Sequence, residues 1–153
     1  MRGERGPQYV NDGILSTNSH GIFISSWEDY PWLQWHLPIL TRITAVSTAN
    51  GKDCCGERLK NVEIRAGMDN VNSTVQAFNL QGRIVANEIC GNFEGPGEDG
   101  KVYTIKCGAP IFANYITVQI INQEQSILQI NELKFITDSI VLIGKKHNFM
   151  HRK

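Results

Sequence analysis

Six consecutive residues, Asp53-Cys54-Cys55-Gly56-Glu57-Arg58, gather more chemistry than any other stretch of this chain. Arg58 offers a planar fork of N–H donors, Lys52 just before the string offers a compact cationic donor, and an ionised Asp53 only accepts. The neighbouring thiols either stay free, pair with distant partners, or bond to each other. The last option closes an eight-membered ring whose distorted peptide costs strain energy, so a chain keeps it where a flat sulfur surface or a fixed loop shape is used. Residue types alone leave these options open.

Four other groups invite a chemical reading. The turn Glu94-Gly95-Pro96-Gly97-Glu98-Asp99-Gly100 could attract a cation, although an acidic Gly/Pro turn is more often simply solvated. Trp27, Trp32 and Trp35 crowd around Pro31. They would suit sugar stacking, but such clusters more often pack a core. His36 could also do chemistry. His147 and His151 would share one face of a helix and could hold zinc, yet no third ligand accompanies them, so the segment reads as a disordered basic tail. No Ser/His/Asp or paired-carboxylate arrangement suggests catalysis, and the chain is read as a non-enzyme.

The elements that must position these residues are strands. Ile43, Val46 and Thr48 supply β-branched residues before the cysteine loop. After it, Val62, Ile64 and Ala66 alternate with Glu63 and Arg65. A further hairpin is expected for 75–80 and 83–86 about Gln81-Gly82, and three more strands over 101–107, 115–121 and 127–135. Asp99-Gly100 is a hairpin signal, and Asn50-Gly51 is a turn pair that would give Gly51 a positive φ. Short strands at this spacing, with no long helical periodicity, predict an all-β sandwich.

The string Asn50-x-x-Asp53-Cys54-Cys55-Gly56-Glu57-Arg58-Leu59 has Pro31-Trp32 upstream and a Cys…GxVYTIxC…YxTVQ pattern from Cys90 to Gln119. Together these resemble the fucolectins, fucose-binding lectins of the discoidin (F5/8 type C) group, from about Val10 to Phe135. The resemblance implies a discoidin-like β-sandwich, or jelly roll, with Trp32 on a buried strand and His36, where related sequences carry an Asp, in a structural role. Only nine residues precede Val10, so the family's first strand is expected to be missing. The domain limits become a short segment 1–9, a fucolectin-like domain 10–135 and a basic tail 136–153, with the hairpin of 75–80 and 83–86 an insertion relative to eel-type lectins.

The resemblance also implies a pocket in which a His and two Arg donate to fucose beside a vicinal disulfide. Arg58 matches the second Arg, Asp53 the acid that orients the pocket, and Cys54–Cys55 the apolar wall. The first Arg falls at Gly51, with Lys52 adjacent, and the His falls at Ile24 or Ser25. Two donors are therefore replaced, and the sugar site is expected to be partly degenerate. A calcium ion is implied as cofactor, held by the carboxylates of Asp12 and Glu132 and by carbonyls of Tyr9, Ile14 and Asn131. A family Cys before the Glu is Asn131 here, and its partner near Ile22 to Ile24 is also absent, as the loss of one whole disulfide would leave them. The four cysteines allow three pairings, of which spacing and family position favour Cys54–Cys55 with Cys90–Cys107.

Composition bounds the function classes. With 153 residues the chain is long enough for one domain with its own core. Lys+Arg and Asp+Glu number 15 each, so charge gives no reason to expect a nucleic acid or an anionic membrane as partner. No apolar run approaches the length of a spanning helix. Paired cysteines and the Asn72-Ser73-Thr74 glycosylation sequon point to secretion, although the start MRGERGPQ shows no signal peptide. An incomplete gene model, or a domain cut from a longer secreted protein, would reconcile the two. The expectation is a secreted, calcium-stabilised, glycan-binding module, with homo-oligomerisation left open. The alternatives are a discoidin adhesion module that binds protein or lipid through loop aromatics such as Phe23 and Trp27, and a gene fragment that binds nothing.

Overall fold

The computed structural model describes residues 23–52, 54–137, 140–142 and 148–151. Nine strands follow in chain order: β1 (Phe23–Ile24), β2 (Trp32–Ala49), β3 (Val62–Gly67), β4 (Glu88–Phe93), β5 (Val102–Ile120), β6 (Gln129–Ile130), β7 (Glu132–Thr137), β8 (Ile140–Leu142) and β9 (Asn148–His151). β1 pairs antiparallel with β6. The others form one ladder in the order β4-β3-β5-β2-β7-β8, with β9 also on β2.

Two long strands turn this ladder into a sandwich. β2 and β5 pair along most of their length, but the register shifts between His36 and Thr41 and again between Ile43 and Ala45. Before these shifts β2 pairs β9 through Leu33–His36, and after them it pairs β7 through Ala45–Ala49. β5 likewise pairs β3 only through Tyr115–Ile120. Its first half instead packs on β4 without a ladder. A Cβ on Gly91 would sit 2.7 Å from Ile105 Cγ2 and 2.8 Å from the Lys106 carbonyl oxygen, so only glycine permits the approach. The Cys90–Cys107 disulfide fixes the same contact. Asp99-Gly100 is a turn with Gly100 at φ 70°, but the strands it joins are not paired neighbours.

Leu33, Trp35, Leu37, Ile43, Val46, Ile64, Ile116, Val118, Leu133 and Phe135 fill the space between the layers. Trp35 meets Phe135 edge-on at 5.9 Å. Each such side chain contributes about 1.5–3 kcal/mol on burial. Two expected strands, 101–107 and 115–121, are one continuous β5, whose exposed Gly108-Ala109-Pro110 lies at the second register shift against β2. The expected strand 127–135 is interrupted at Asn131, where β6 ends and β7 begins.

Residues 68–87 cover the outer face of β2, β3 and β5. Trp32, buried as read from sequence, forms a second small core there with Val71, Ala77 and Ile84. Polar residues on that face become buried and satisfied. Gln34 accepts from Val71 N at 3.0 Å, Gln119 accepts from Ile84 N at 2.8 Å, and Glu63 pairs with Arg65 at 2.8 Å and Arg83 at 2.7 Å. The expected hairpin about Gln81-Gly82 is reduced to a single Phe78–Ile84 bridge. The Ile84 amide is taken by Gln119 rather than by a neighbouring strand. Asn72 is exposed on this segment.

His36 stacks on Tyr115 with ring centroids 4.8 Å apart, a packing role. The tail read as disordered contains two strands, since β8 adds to β7 and β9 to β2. His151 belongs to β9, so the helical spacing that would pair it with His147 does not hold; His147 lies outside the described residues.

Candidate carbohydrate-binding site

The cysteine loop leaves β2 at Ala49 and is tied down at once. Asn50 Nδ2 donates to the carbonyl oxygens of Gly56 at 3.2 Å and Glu98 at 3.1 Å, joining the loop's start to its end and to the acidic turn. Gly56 N donates to Asp99 Oδ1 at 2.7 Å, and Gly97 N to the Leu59 carbonyl at 2.8 Å. A Cβ on Gly56 would lie 2.5 Å from the Glu98 carbonyl carbon, so the two loops touch only because position 56 has no side chain. The acidic turn therefore buttresses the cysteine loop, with the Asp99 carboxylate engaged by a backbone amide.

Cys54 and Cys55 are bonded to each other. Cys54 is exposed and Cys55 half-buried, with Cys55 in the left-handed region at φ 73°. A non-glycine residue there costs about 1–2 kcal/mol, which the surrounding loop contacts must offset. Residues Gly56–Arg58 then form one 3-10 turn. It carries Arg58 to β6, where Nη1 donates to Gln129 Oε1 at 2.8 Å. The other end of Gln129 donates to the Cys54 carbonyl at 3.4 Å, so one buried carboxamide spans the guanidinium and the disulfide. The sequence reading missed Gln129, whose only signal is a polar side chain inside an apolar strand.

β1 completes the frame. Ile24, one of the two positions matched to the family's His, pairs in register with Gln129, the guanidinium's partner, but carries an apolar side chain. Ser25 is buried and committed elsewhere, its Oγ accepting from Leu128 N at 2.9 Å. Phe23 is buried at 2% exposure, which removes it from the loop aromatics, whereas Trp27 is 64% exposed. Lys52 is exposed and runs along the acidic turn, its Cγ 3.4 Å from where a Gly100 Cβ would be. Gly51 is not in the positive-φ region expected of it. Its smallness answers to Asn131, whose side-chain oxygen and nitrogen would both lie 2.9 Å from a Cβ at position 51. Asp53 lies outside the described residues.

Of the implied calcium ligands, Asp12, Tyr9 and Ile14 also lie outside the described residues. Glu132 opens β7 opposite Ala49 and is 5% exposed, and Asn131 N donates to the Ala49 carbonyl at 3.3 Å. Among the described residues no cluster of three His, Cys, Asp or Glu is present. Of the two implied ligand carboxylates, only Glu132 lies among the described residues. It sits three residues from Gln129 in the segment that also carries Asn131.

A β-sandwich with a vicinal disulfide beside a fixed guanidinium defines a class. The chain belongs to the F5/8 type C domain family, whose model matches residues 1–133. Among its relatives is Fucolectin-1 of Anguilla japonica, 33% identical over 130 residues, covering 84% of this chain and 66% of that one. The chain thus spans just under two thirds of that relative's length. An f-lectin (fucolectin) from the serum of striped bass, Morone saxatilis, superposes with a TM-score of 0.61 at 22% identity over 83% of this chain and 40% of that chain. The lectin domain of lectinolysin complexed with Lewis B antigen gives 0.58 at 17% identity over 86% and 83%. At these identities the two structures establish the shared fold.

Proposed function

We propose that this chain is a non-catalytic, fucolectin-type carbohydrate-binding module whose sugar rests on the Cys54–Cys55 disulfide and is hydrogen-bonded by Arg58. The observation that carries the reading is the Gln129 bridge. It holds the guanidinium and the exposed disulfide in one frame while leaving most of the Arg58 donors uncommitted. A neutral sugar presents lone pairs to such donors and a C–H face to the sulfur wall. The fucolectin relative and the Lewis B complex of lectinolysin supply the ligand class.

Gly51 and Ile24 supply no donors where the family resemblance places an Arg and a His. Each lost charge-assisted bond removes roughly 1.5–3 kcal/mol, or about tenfold to a hundredfold in affinity. The module is therefore a weak fucose binder or one of altered specificity. Calcium, held by Glu132 and Asp12, stabilises it, and secretion fits the two disulfides. A glycan array with calcium and with EDTA tests the reading. Retention of neutral, fucosylated glycans that Arg58→Ala abolishes is the expected result; a folded protein that retains no glycan in either condition refutes it.

The exposed indole of Trp27 favours a second reading, adhesion to protein or lipid through the loops. Binding to neutral lipid vesicles that is lost in Trp27→Ala and indifferent to Arg58→Ala would favour it over the first.

A further inference from the structure

An open cleft of about 340 Å³ lies where β3 starts, β4 ends and β5 has just ended, and the site above makes no use of it. It is lined by Asn61, Val62, Asn92, Phe93, Glu94, Ile121 and Asn122, three of which carry carboxamides and one a carboxylate. Its backbone is fixed, because Asn61 N donates to the Glu94 carbonyl at 2.9 Å and Ile121 N to the Asn61 carbonyl at 2.8 Å. Both main-chain groups of Asn61 are thereby occupied, at a φ of 50° that asparagine tolerates better than most residues. Its carboxamide is its one uncommitted polar group. The Asn92 carboxamide and the Glu94 carboxylate also make no hydrogen bond or ion pair with the described residues, and Asn122 uses only Oδ1, accepting from Ser126 Oγ at 3.0 Å.

We infer that this cleft is a second sugar subsite, taking a neutral sugar residue of the same oligosaccharide whose terminal sugar lies at Arg58. The inference rests on the glycan-binding reading above and extends it. Carboxamides both donate and accept, as vicinal hydroxyls require, and the apolar Val62, Phe93 and Ile121 in the lining suit a C–H face. Glu94 accepts but cannot donate when ionised, and its charge opposes a sugar carrying a carboxylate or sulfate. Position supports continuity. Asn61 follows Arg58 by three residues, so their Cα atoms are within about 11 Å. The Gly97 amide on the Leu59 carbonyl ties the acidic turn to the segment between them.

The test is a titration of the 15N-labelled chain with L-fucose, with the Lewis b oligosaccharide and with a sialylated glycan of similar size, in wild type, Arg58→Ala, Asn92→Ala and Glu94→Gln. Asn92 and Glu94 are exposed, so their variants are expected to fold. The expected result is that Lewis b, but not fucose, moves the side-chain amide signals of Asn61, Asn92 and Asn122. Asn92→Ala lowers Lewis b affinity three- to tenfold and leaves fucose unchanged, Arg58→Ala weakens both, and Glu94→Gln improves the sialylated glycan several-fold. If Lewis b binds through Arg58 but leaves Asn92 unmoved and its variant unimpaired, the cleft is no subsite and the primary reading stands. If Arg58→Ala leaves Lewis b binding at Asn92 intact, the cleft is an independent site and the continuity is wrong. If wild type binds neither fucose nor Lewis b, both readings fall. An unchanged response to the sialylated glycan in Glu94→Gln removes the selectivity for neutral sugars.

Discussion

Restoring the donor missing at position 51 tests the site most directly, and the structure sets its size. Gly51→Arg puts back a guanidinium two residues before Asp53. Gly51 is outside the positive-φ region, so no left-handed penalty applies. The obstacle is Asn131, 1% exposed, whose carboxamide would stand 2.9 Å from the new Cβ. Overpacking of this kind costs about 1–3 kcal/mol, against roughly 1.5–3 kcal/mol from a restored charge-assisted bond. The single variant should therefore gain little affinity and lose several degrees of melting temperature. Gly51→Arg with Asn131→Ala removes the obstruction and should raise fucose affinity about tenfold, less whatever Asn131's own contacts contribute. Calorimetric titration with fucose, alongside thermal melts, reads both quantities. A tenfold gain in Gly51→Arg alone with unchanged melting would refute the crowding. A folded double variant with no gain, while Arg58→Ala still abolishes binding, would show that position 51 does not face the sugar.

Three further outcomes are expected. Gln129→Leu keeps the volume but frees Arg58 and the Cys54 carbonyl, so glycan affinity should fall about tenfold, the value of one hydrogen bond to a charged group, with the far-UV spectrum unchanged; wild-type affinity in that variant would mean Arg58 needs no positioning. Calcium at a hundredfold excess over its Kd should stabilise the fold by about 2.7 kcal/mol, and Glu132→Ala or Asp12→Ala should remove that gain in thermal melts; melting curves identical in millimolar calcium and EDTA would count against the ion. Replacing Cys90 and Cys107 by Ser should cost about 3 kcal/mol in a denaturant titration, whereas mild reductant should open the exposed Cys54–Cys55 bond first, read by peptide mapping after alkylation; the reverse order would contradict the burial of Cys90.

The sequence by itself determined the class of fold and the chemical identity of the cysteine loop. β-Branched alternation in Val62–Ala66 requires a strand with one face in the core, and local pattern is enough to see it. Both disulfides were legible from spacing and family position. What local pattern does not carry is which face a strand buries when both are covered. Trp32, Gln34, Glu63 and Gln119 are buried because the 68–87 segment folds over them, a contact between segments far apart in the chain. The same limit hid the site's partners. Gln129 lies 71 positions from Arg58, and Asp99 lies 43 from Gly56; nothing near either residue announces the pairing. Gly51 shows the limit most plainly. Its sequence neighbour Asn50 suggested a turn needing positive φ, while the crowding at this position comes from Asn131, brought there by β7. Local rules govern conformations a few residues long, whereas burial and hydrogen-bond partners are set by what the sandwich brings together when it closes.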